Sequence, residues 1–193
     1  CFTFAISQFV AEAHSIGLVC LDLSPHNIIL QFSRRGLFPR VIDYGIYGQV
    51  GTKLDGGIRF SYTSPEIWKE RSNGRWNTKH PLAFSMDLFT LGTLQWEMIE
   101  RRPAWTGMND DYTFSNIVGG PPLELNYDAF MERFSNLPPV LAELMEEYYD
   151  RFDEFIYEST LKNVNERLPS VRVFQDRLKE LMPMALRLMP YDR

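Results

Sequence analysis

The stretch from Ser85 to Ile99 constrains the fold most, because its apolar side chains would cover nearly every face of a helix. These side chains are Leu88, Phe89, Leu91, Leu94, Trp96, Met98 and Ile99. Serine is a favoured residue at helix N-caps, so the helix is predicted to begin at Ser85. A helix that is apolar all round is normally buried in the middle of its domain. The sequence therefore predicts a core built around this helix.

The flanking sequence predicts a fold that is mainly α with a small β component. A first helix is indicated by the helical spacing of Phe2, Ile6, Phe9, Val10 and Ala13, with Gly17 as its stop. Three short β-like runs follow at 19–21, 28–30 and 40–42, and the Gly-, Ser- and Thr-rich stretch 45–64 is predicted to be a long loop. Beyond the central helix, amphipathic helices are predicted at 140–150, 152–161 and 171–182.

Composition excludes several classes of function. The chain has 193 residues, a net charge of −5 and no strongly basic cluster, which argues against a nucleic-acid surface. It has no apolar run approaching the ~20 residues of a membrane helix. With two cysteines there is no disulfide framework, so we expect a reducing, intracellular compartment, namely the cytoplasm. One domain with a substantial core is the expected organisation.

Three polar residues stand at or just beyond the ends of the β-like runs and could carry chemistry. They are Asp22, Asn27 and Asp43. Oxygen ligands from adjacent loops are what Mg²⁺ prefers, especially when phosphates complete its shell. Asp and Asn also favour ordinary turns after strands, and for either segment alone that interpretation would be preferred.

Several motifs in chain order extend this pattern over the whole chain. They are His14, "CLDLSPHN" at 20–27, "DYG" at 43–45, "SPE" at 64–66, Asp87 and Arg167 in "NERLPS". Together they resemble the C-terminal lobe of eukaryotic protein kinases, whose motifs include H-R-D-L-x-x-x-N, D-F-G and A-P-E. The resemblance implies a kinase-like fold over residues 1–193, limited to the C-terminal helical lobe.

The resemblance also implies a role for each matching residue. Asp22 would be the catalytic base that orients the substrate hydroxyl, and Asn27 and Asp43 would hold Mg²⁺ against the phosphates of ATP. Glu66 and Arg167 would form a buried, structural ion pair. A sixth residue, Asp87, would brace the backbone of the catalytic loop from below.

The sequence departs from the kinase pattern at three positions of the 20–27 loop. Leu21 replaces an arginine, so no guanidinium is available there to pair with a phosphorylated segment. Cys20 replaces a histidine and is predicted to be a small buried residue. Ser24 stands where Ser/Thr kinases have a lysine that neutralises the transferred phosphate, and His26 is a candidate to compensate.

The part of a kinase that covers ATP has no counterpart in the sequence. There is no G-x-G-x-x-G motif and no strand lysine, and "GIYGQVGTK" at 45–53 has glycines spaced three apart in the place of an activation segment. We therefore expect the chain to be a fragment without the N-terminal lobe, and inactive on its own. The "LDL" of the loop also resembles the FIKK-type kinases of apicomplexan parasites.

The sequence leaves three functions open. The first is a protein kinase that transfers the γ-phosphate of ATP to a protein substrate, of the Ser/Thr type because Pro25 precedes His26 and Asn27. The second is a pseudokinase that serves as a scaffold or binding module, favoured by Leu21 and Ser24. The third is a kinase-fold enzyme that phosphorylates small molecules, against which the SPE motif and the Asp87 helix argue.

Overall fold

The computed structural model describes residues 2–34, 36–43, 47–53, 62–69, 71–72, 75–76, 81–105 and 110–192. Its helices are α1 Phe2–Ser15, α2 Pro65–Trp68, α3 Ser85–Glu100, α4 Asp110–Gly119, α5 Tyr127–Arg133, α6 Ala142–Thr160 and α7 Val171–Leu188. Its strands are β1 Leu18–Cys20, β2 Ile28–Ser33, β3 Gly36–Val41, β4 Tyr47–Gln49, β5 Arg71–Ser72 and β6 Arg75–Trp76. Single 3₁₀ turns span Pro25–Asn27, Pro139–Leu141 and Met189–Tyr191. The predicted fold class, mainly α with a small β component, is confirmed.

The first helix ends where the sequence predicts. Gly17 has a φ of 78°, and its amide donates a hydrogen bond of 3.0 Å to the carbonyl of His14. This left-handed conformation suits glycine, and it stops α1 and turns the chain into β1. The buried residues of α1, among them Ile6 and Val10, face α7 and α3. A single glycine therefore sets where the helix ends and the loop with the candidate site begins.

The small sheets are antiparallel pairs. Strands β2 and β3 form a hairpin in which Ile28 lies opposite Val41, so Asn27 and Ile42 emerge side by side at the open end. Strand β1 pairs with β4, with Cys20 opposite Tyr47. The prediction of a loop throughout 45–64 is therefore wrong for β4. Backbone pairing with β1, which no local sequence pattern shows, orders this glycine-containing segment.

Helix α3 is buried as its sequence predicts. Every residue from Met86 to Trp96 is buried, and the helix packs against α6, α1 and β1. The predicted cap is wrong by one position, because Phe84 is the N-cap and Ser85 is the first helical residue. The helix ends at Glu100, where Arg101 takes a left-handed conformation with φ 57°. Burial rather than capping holds this helix in place.

Helices α6 and α7 differ from the prediction in length. The two predicted helices around Arg151 are one continuous helix, α6, because Phe152 and its neighbours continue a single buried face against α3 and α7. Helix α7 continues past Pro183 to Leu188. An internal proline costs a helix about 3 kcal/mol, and the burial of Met184 and Leu188 beyond it offsets that cost.

Three of the described helices, α2, α4 and α5, were not predicted from the sequence. Asn126 caps α5 by accepting a hydrogen bond of 2.9 Å from the amide of Ala129. Side chains of α1, α3, α6 and α7 form the main core, and a smaller cluster surrounds Trp68 and Phe89. No helix among the described ranges is long and apolar enough to cross a membrane.

Candidate active site

The 20–27 loop connects β1 to β2 and is closed by a single 3₁₀ turn, Pro25–Asn27. The amide of Asn27 donates to the carbonyl of Ser24 at 3.0 Å. Pro25 occupies the first position of this turn, where its missing N–H costs nothing. The turn reverses the chain within a few residues and brings Asn27 back beside Asp22.

Asn27 is buried and ties the loop together. Its side-chain amide nitrogen donates to the carbonyl of Asp22 at 2.8 Å and to Asp22 Oδ2 at 2.9 Å. Its own carbonyl accepts a hydrogen bond of 2.7 Å from the amide of Ile42. Asp43 follows Ile42 in sequence. Asn27 therefore links the loop that carries the Asp22 carboxylate to the segment that carries the Asp43 carboxylate.

Asp22 and Asp43 line one narrow cleft, here called the carboxylate cleft, whose other walls are Phe9, Cys20, Leu23, Val41 and Tyr47. Asp43 has a φ of 62°, in the left-handed region that few residues other than glycine adopt and that Asp tolerates. Residues held in such conformations concentrate at functional sites. Tyr44 and Gly45 of the DYG motif lie outside the described residues.

The donor set of the carboxylate cleft suits a hard cation. The cleft itself supplies the two carboxylates, and Asn27, which is bonded to Asp22 through its side-chain nitrogen, adds an amide oxygen next to it. All three are oxygen ligands of the kind that Mg²⁺ takes. In the described parts of the chain, no group of three or more His, Cys, Asp or Glu side chains is arranged to hold a metal ion. Magnesium commonly binds through one or two carboxylates, with phosphates and water completing its shell.

Asp87 connects the central helix to the loop. Its Oδ2 accepts a hydrogen bond of 2.8 Å from the backbone amide of Cys20. The same oxygen lies 2.8 Å from Nε2 of His14, with which it forms a second hydrogen bond. Burial raises the pKa of the Asp87 carboxyl, and these partners oppose that rise. Burial and the nearby Asp87 also raise the pKa of the Cys20 thiol, which therefore stays protonated and unreactive.

Glu66 and Arg167 meet as a bidentate ion pair. Nη1 of Arg167 donates to Glu66 Oε1 at 2.8 Å, and Nη2 donates to Oε2 at 3.0 Å. The guanidinium also donates to the carbonyls of Ser85 at 2.7 Å and Leu161 at 2.9 Å. The Arg167 side chain has no solvent exposure. This network fixes α2 against the start of α3 and the end of α6.

Sequence reasoning missed a polar group on α3, the carboxylate of Glu97. It accepts hydrogen bonds of 2.8 Å from the hydroxyl of Tyr62 and 2.8 Å from the amide of Ala104. Burial raises the pKa of Glu97, while these partners and the nearby His26 lower it. The signal available in the sequence was an ionisable residue inside an otherwise apolar helix. Glu97 anchors the chain before the SPE motif to α3.

The residues that depart from the kinase pattern occupy different surroundings. Leu21 is buried in the smaller apolar cluster with Val19 and Phe89, where a guanidinium would lack a partner. The Ser24 side chain is only 1% exposed, and its hydroxyl has no hydrogen-bond partner in the part of the chain that is described. His26 is exposed and lies near Glu97. Ser24 is therefore shielded from solvent and is not among the residues that line the carboxylate cleft.

The known proteins that the chain resembles in sequence and in structure are protein kinases. No family model matches the chain. It is 26% identical over 131 residues to the mitogen-activated protein kinase HOG1 of Candida albicans, which covers 64% of this chain and 31% of that protein. It is 22% identical over 181 residues to the smooth-muscle myosin light chain kinase of Gallus gallus, covering 92% of this chain and 9% of that protein.

A solved structure of the twitchin kinase region from C. elegans superposes with a TM-score of 0.65 at 18% identity, covering 92% of this chain and 27% of that one. The chain thus spans less than a third of the length of each of these relatives. At such identities the structural likeness establishes the fold, while the sequence relatives support a protein-kinase-like domain. The chain has a kinase-like fold, and its helical architecture is that of the C-terminal lobe.

Proposed function

We propose that this chain is the C-terminal lobe of a protein kinase that transfers the γ-phosphate of ATP to a protein hydroxyl. The observation that supports this most is that Asn27 is hydrogen-bonded both to Asp22 and to Ile42, the residue before Asp43, at the open end of the β2–β3 hairpin. Phosphoryl transfer asks a protein mainly for positioning and for electrostatic stabilisation of the phosphates. A pre-ordered set of oxygen ligands beside a carboxylate base meets both needs.

Each residue of the set has a distinct proposed role. Asp22, held by the amide of Asn27, orients the attacking hydroxyl and accepts its proton. The side-chain oxygen of Asn27 and the carboxylate of Asp43 hold Mg²⁺, which when bound neutralises the charge of the ATP phosphates. Asp87, with Cys20 and His14, keeps the loop at a fixed height above α3. Glu66 and Arg167 are structural.

The finer features of the proposal rest on sequence. The 193 residues contain no glycine-rich loop, so we propose that the lobe covering ATP is supplied by sequence outside this chain. Pro25 before His26 and Asn27 supports Ser/Thr specificity, and Leu21-Asp22-Leu23 alone supports a FIKK-type affiliation. The proposed substrate is a protein that carries an acceptor hydroxyl.

The test is phosphate transfer by the full-length protein with Mg²⁺ and radiolabelled ATP on a generic protein substrate. Asp22→Asn keeps an acceptor for the Asn27 amide but removes the base, so transfer should fall about 10²–10⁴-fold while nucleotide binding remains. Asp150→Asn, which neutralises an exposed carboxylate on α6, is the matched control and should transfer normally. Equal rates for Asp22→Asn and the control would refute the catalytic role.

One observation favours a pseudokinase as the second candidate. The buried hydroxyl of Ser24 cannot replace the lysine that contacts the transferred phosphate in Ser/Thr kinases. A pseudokinase would bind Mg²⁺-ATP, or neither ligand, without transferring phosphate to any protein. Nucleotide binding measured alongside transfer in the full-length protein separates the two functions.

A further inference from the structure

Lys162, just after the end of α6, has a buried ammonium without a hydrogen-bond partner among the described residues. Nζ of Lys162 lies 4.7 Å from the ring centre of Trp105 and 5.1 Å from that of Phe89. The ammonium is shielded from solvent and bonds to no acceptor within the described ranges. The indole N–H of Trp105, beside it, is also buried and also lacks an acceptor there.

Two neighbouring buried donors without a hydrogen-bond acceptor are unusual. Buried polar groups almost always have a hydrogen-bond partner, and an exception calls for a specific reason such as a bound ion or water. Cation–π contacts with Trp105 and Phe89 compensate the Lys162 charge only in part. Both groups are donors, so what this place lacks is an acceptor.

Beside Lys162 is an open cavity of about 580 Å³ whose lining includes Glu66, Lys69, Pro81, Met86, Lys162 and Asn163. Both oxygens of Glu66 are engaged by Arg167, so that carboxylate is already neutralised. Lys69, which is exposed, adds a second ammonium to the lining. The described residues that line the cavity therefore carry a net positive charge, and the cavity is large enough for a tetrahedral oxyanion.

We propose that this cavity is a binding site for a phosphate or sulfate group, with Lys162 as its principal ligand. The four-carbon stem of lysine lets the ammonium turn from the aromatic rings toward an anion in the cavity. Such an anion supplies the acceptor that the Lys162 ammonium lacks. The site shares no lining residue with the carboxylate cleft, so it is separate from the proposed phosphoryl transfer.

The charge state of Lys162 makes the site pH-dependent. The pKa of Lys162 is lowered to about 8, mainly by burial and in second place by the positive charge of Arg167, while the carboxylate of Glu66 opposes the decrease. Below that pH the side chain is an ammonium that attracts an anion, and above it the amine is neutral. Sulfate is the suitable probe, because its own charge is constant over this range.

The experiment measures sulfate binding to the full-length protein by calorimetry, at constant ionic strength and without phosphate in the buffer. Lys162→Met keeps the length of the side chain without its charge and should weaken sulfate binding about tenfold or more. Lys162→Arg keeps a charge that does not titrate, so it should bind sulfate at both pH 6.5 and pH 9.5. The wild type should bind well only at the lower pH.

The control is Lys179→Met, which removes a half-exposed lysine paired with Asp176 on α7. It should bind sulfate as the wild type does. If Lys162→Met binds sulfate as tightly as this control, or if the wild type binds none at pH 6.5, water serves the donors and the anion site is wrong. Binding of sulfate elsewhere in the protein would be unchanged in all four proteins and is thereby subtracted.

Discussion

Two cationic side chains contact the same aromatic ring, but they differ in the hydrogen-bond acceptors around them. The guanidinium of Arg167 lies 5.2 Å from the ring centre of Phe89, and the ammonium of Lys162 lies 5.1 Å from it. Arg167 has a bidentate carboxylate and two carbonyl acceptors. Lys162 has no hydrogen-bond acceptor among the described residues. The two residues are close in sequence, and both contact Phe89 of α3.

Burial alone therefore does not determine whether a charged side chain has a structural role. A buried ion whose acceptors are all supplied by the chain is part of the architecture. A buried ion whose acceptors are missing remains available to something outside the chain. The planar fork of arginine suits the first case, and the single mobile ammonium of lysine suits the second. Substitutions at the two positions should therefore have unequal effects on stability.

The largest effect is expected at Arg167. Arg167→Met leaves the Glu66 carboxylate without its partner and two carbonyls without a donor, so the free energy of unfolding should fall by about 3–5 kcal/mol. Urea denaturation followed by tryptophan fluorescence measures it. The matched control is Arg151→Met, whose half-exposed pair with Glu147 on α6 should change stability by less than about 1 kcal/mol.

A double variant shows whether the loss comes from the stranded charge. Adding Glu66→Gln to Arg167→Met removes that charge, so the double variant should be more stable than the sum of the two single changes predicts. Strict additivity would mean that Glu66 and Arg167 act independently, in conflict with the two hydrogen bonds between them.

A smaller loss of stability is expected at Asp87, a buried carboxylate that, like Arg167, has its hydrogen-bond partners within the chain. Asp87→Asn keeps the shape but weakens the bonds from the Cys20 amide and His14, so stability should fall by about 2–3 kcal/mol. Hydrogen exchange of the Cys20 amide should speed up as well, because its acceptor is weakened. Asp176→Asn on the exposed face of α7 is the control, and an equal loss there would contradict a special role for Asp87.

Much of the fold could be predicted from local sequence patterns, and the exceptions have physical reasons. The apolar pattern located α1 and α3, because burial of a helix is written in the spacing of its residues. Strand β4 was missed since its order depends on β1, more than twenty residues earlier in the chain. The C-terminal boundary predicted at Met182 was wrong, because the packing of Met184 and Leu188 outweighs the hydrogen bond lost at Pro183.

The residues of the candidate sites also fall into those that could be predicted from sequence and those that could not. Asp22, Asn27 and Asp43 could be named from sequence because motif order carries them, and their chemical roles stay predictions. The place of Lys162 could not be named, since its character comes from Phe89 and Trp105, which are distant in sequence. Glu97 was missed for a similar reason, because its partners Tyr62 and Ala104 follow no local spacing.

The smallest effect, and of opposite sign, is expected at Lys162. Its pKa is lowered to about 8, so between about pH 8 and 10.5 the unfolded chain holds a proton that the folded protein has released. Stability contributed by this group therefore rises with pH across that window. In anion-free buffer at pH 7, Lys162→Met should be more stable than the wild type by about 1 kcal/mol, allowing for the partial solvent contact of the side chain.

The measurement is the difference in unfolding free energy between Lys162→Met and the wild type at pH 7 and at pH 10. Other groups titrate alike in both proteins, so the difference isolates Lys162. It should shrink toward zero at pH 10, where the amine is neutral in the folded wild type, and it should also shrink at pH 7 when sulfate is added. A pH-independent loss of stability in Lys162→Met would mean that Lys162, like Arg167, is a structural cation with acceptors within the chain. The proposed difference between the two residues would then be wrong.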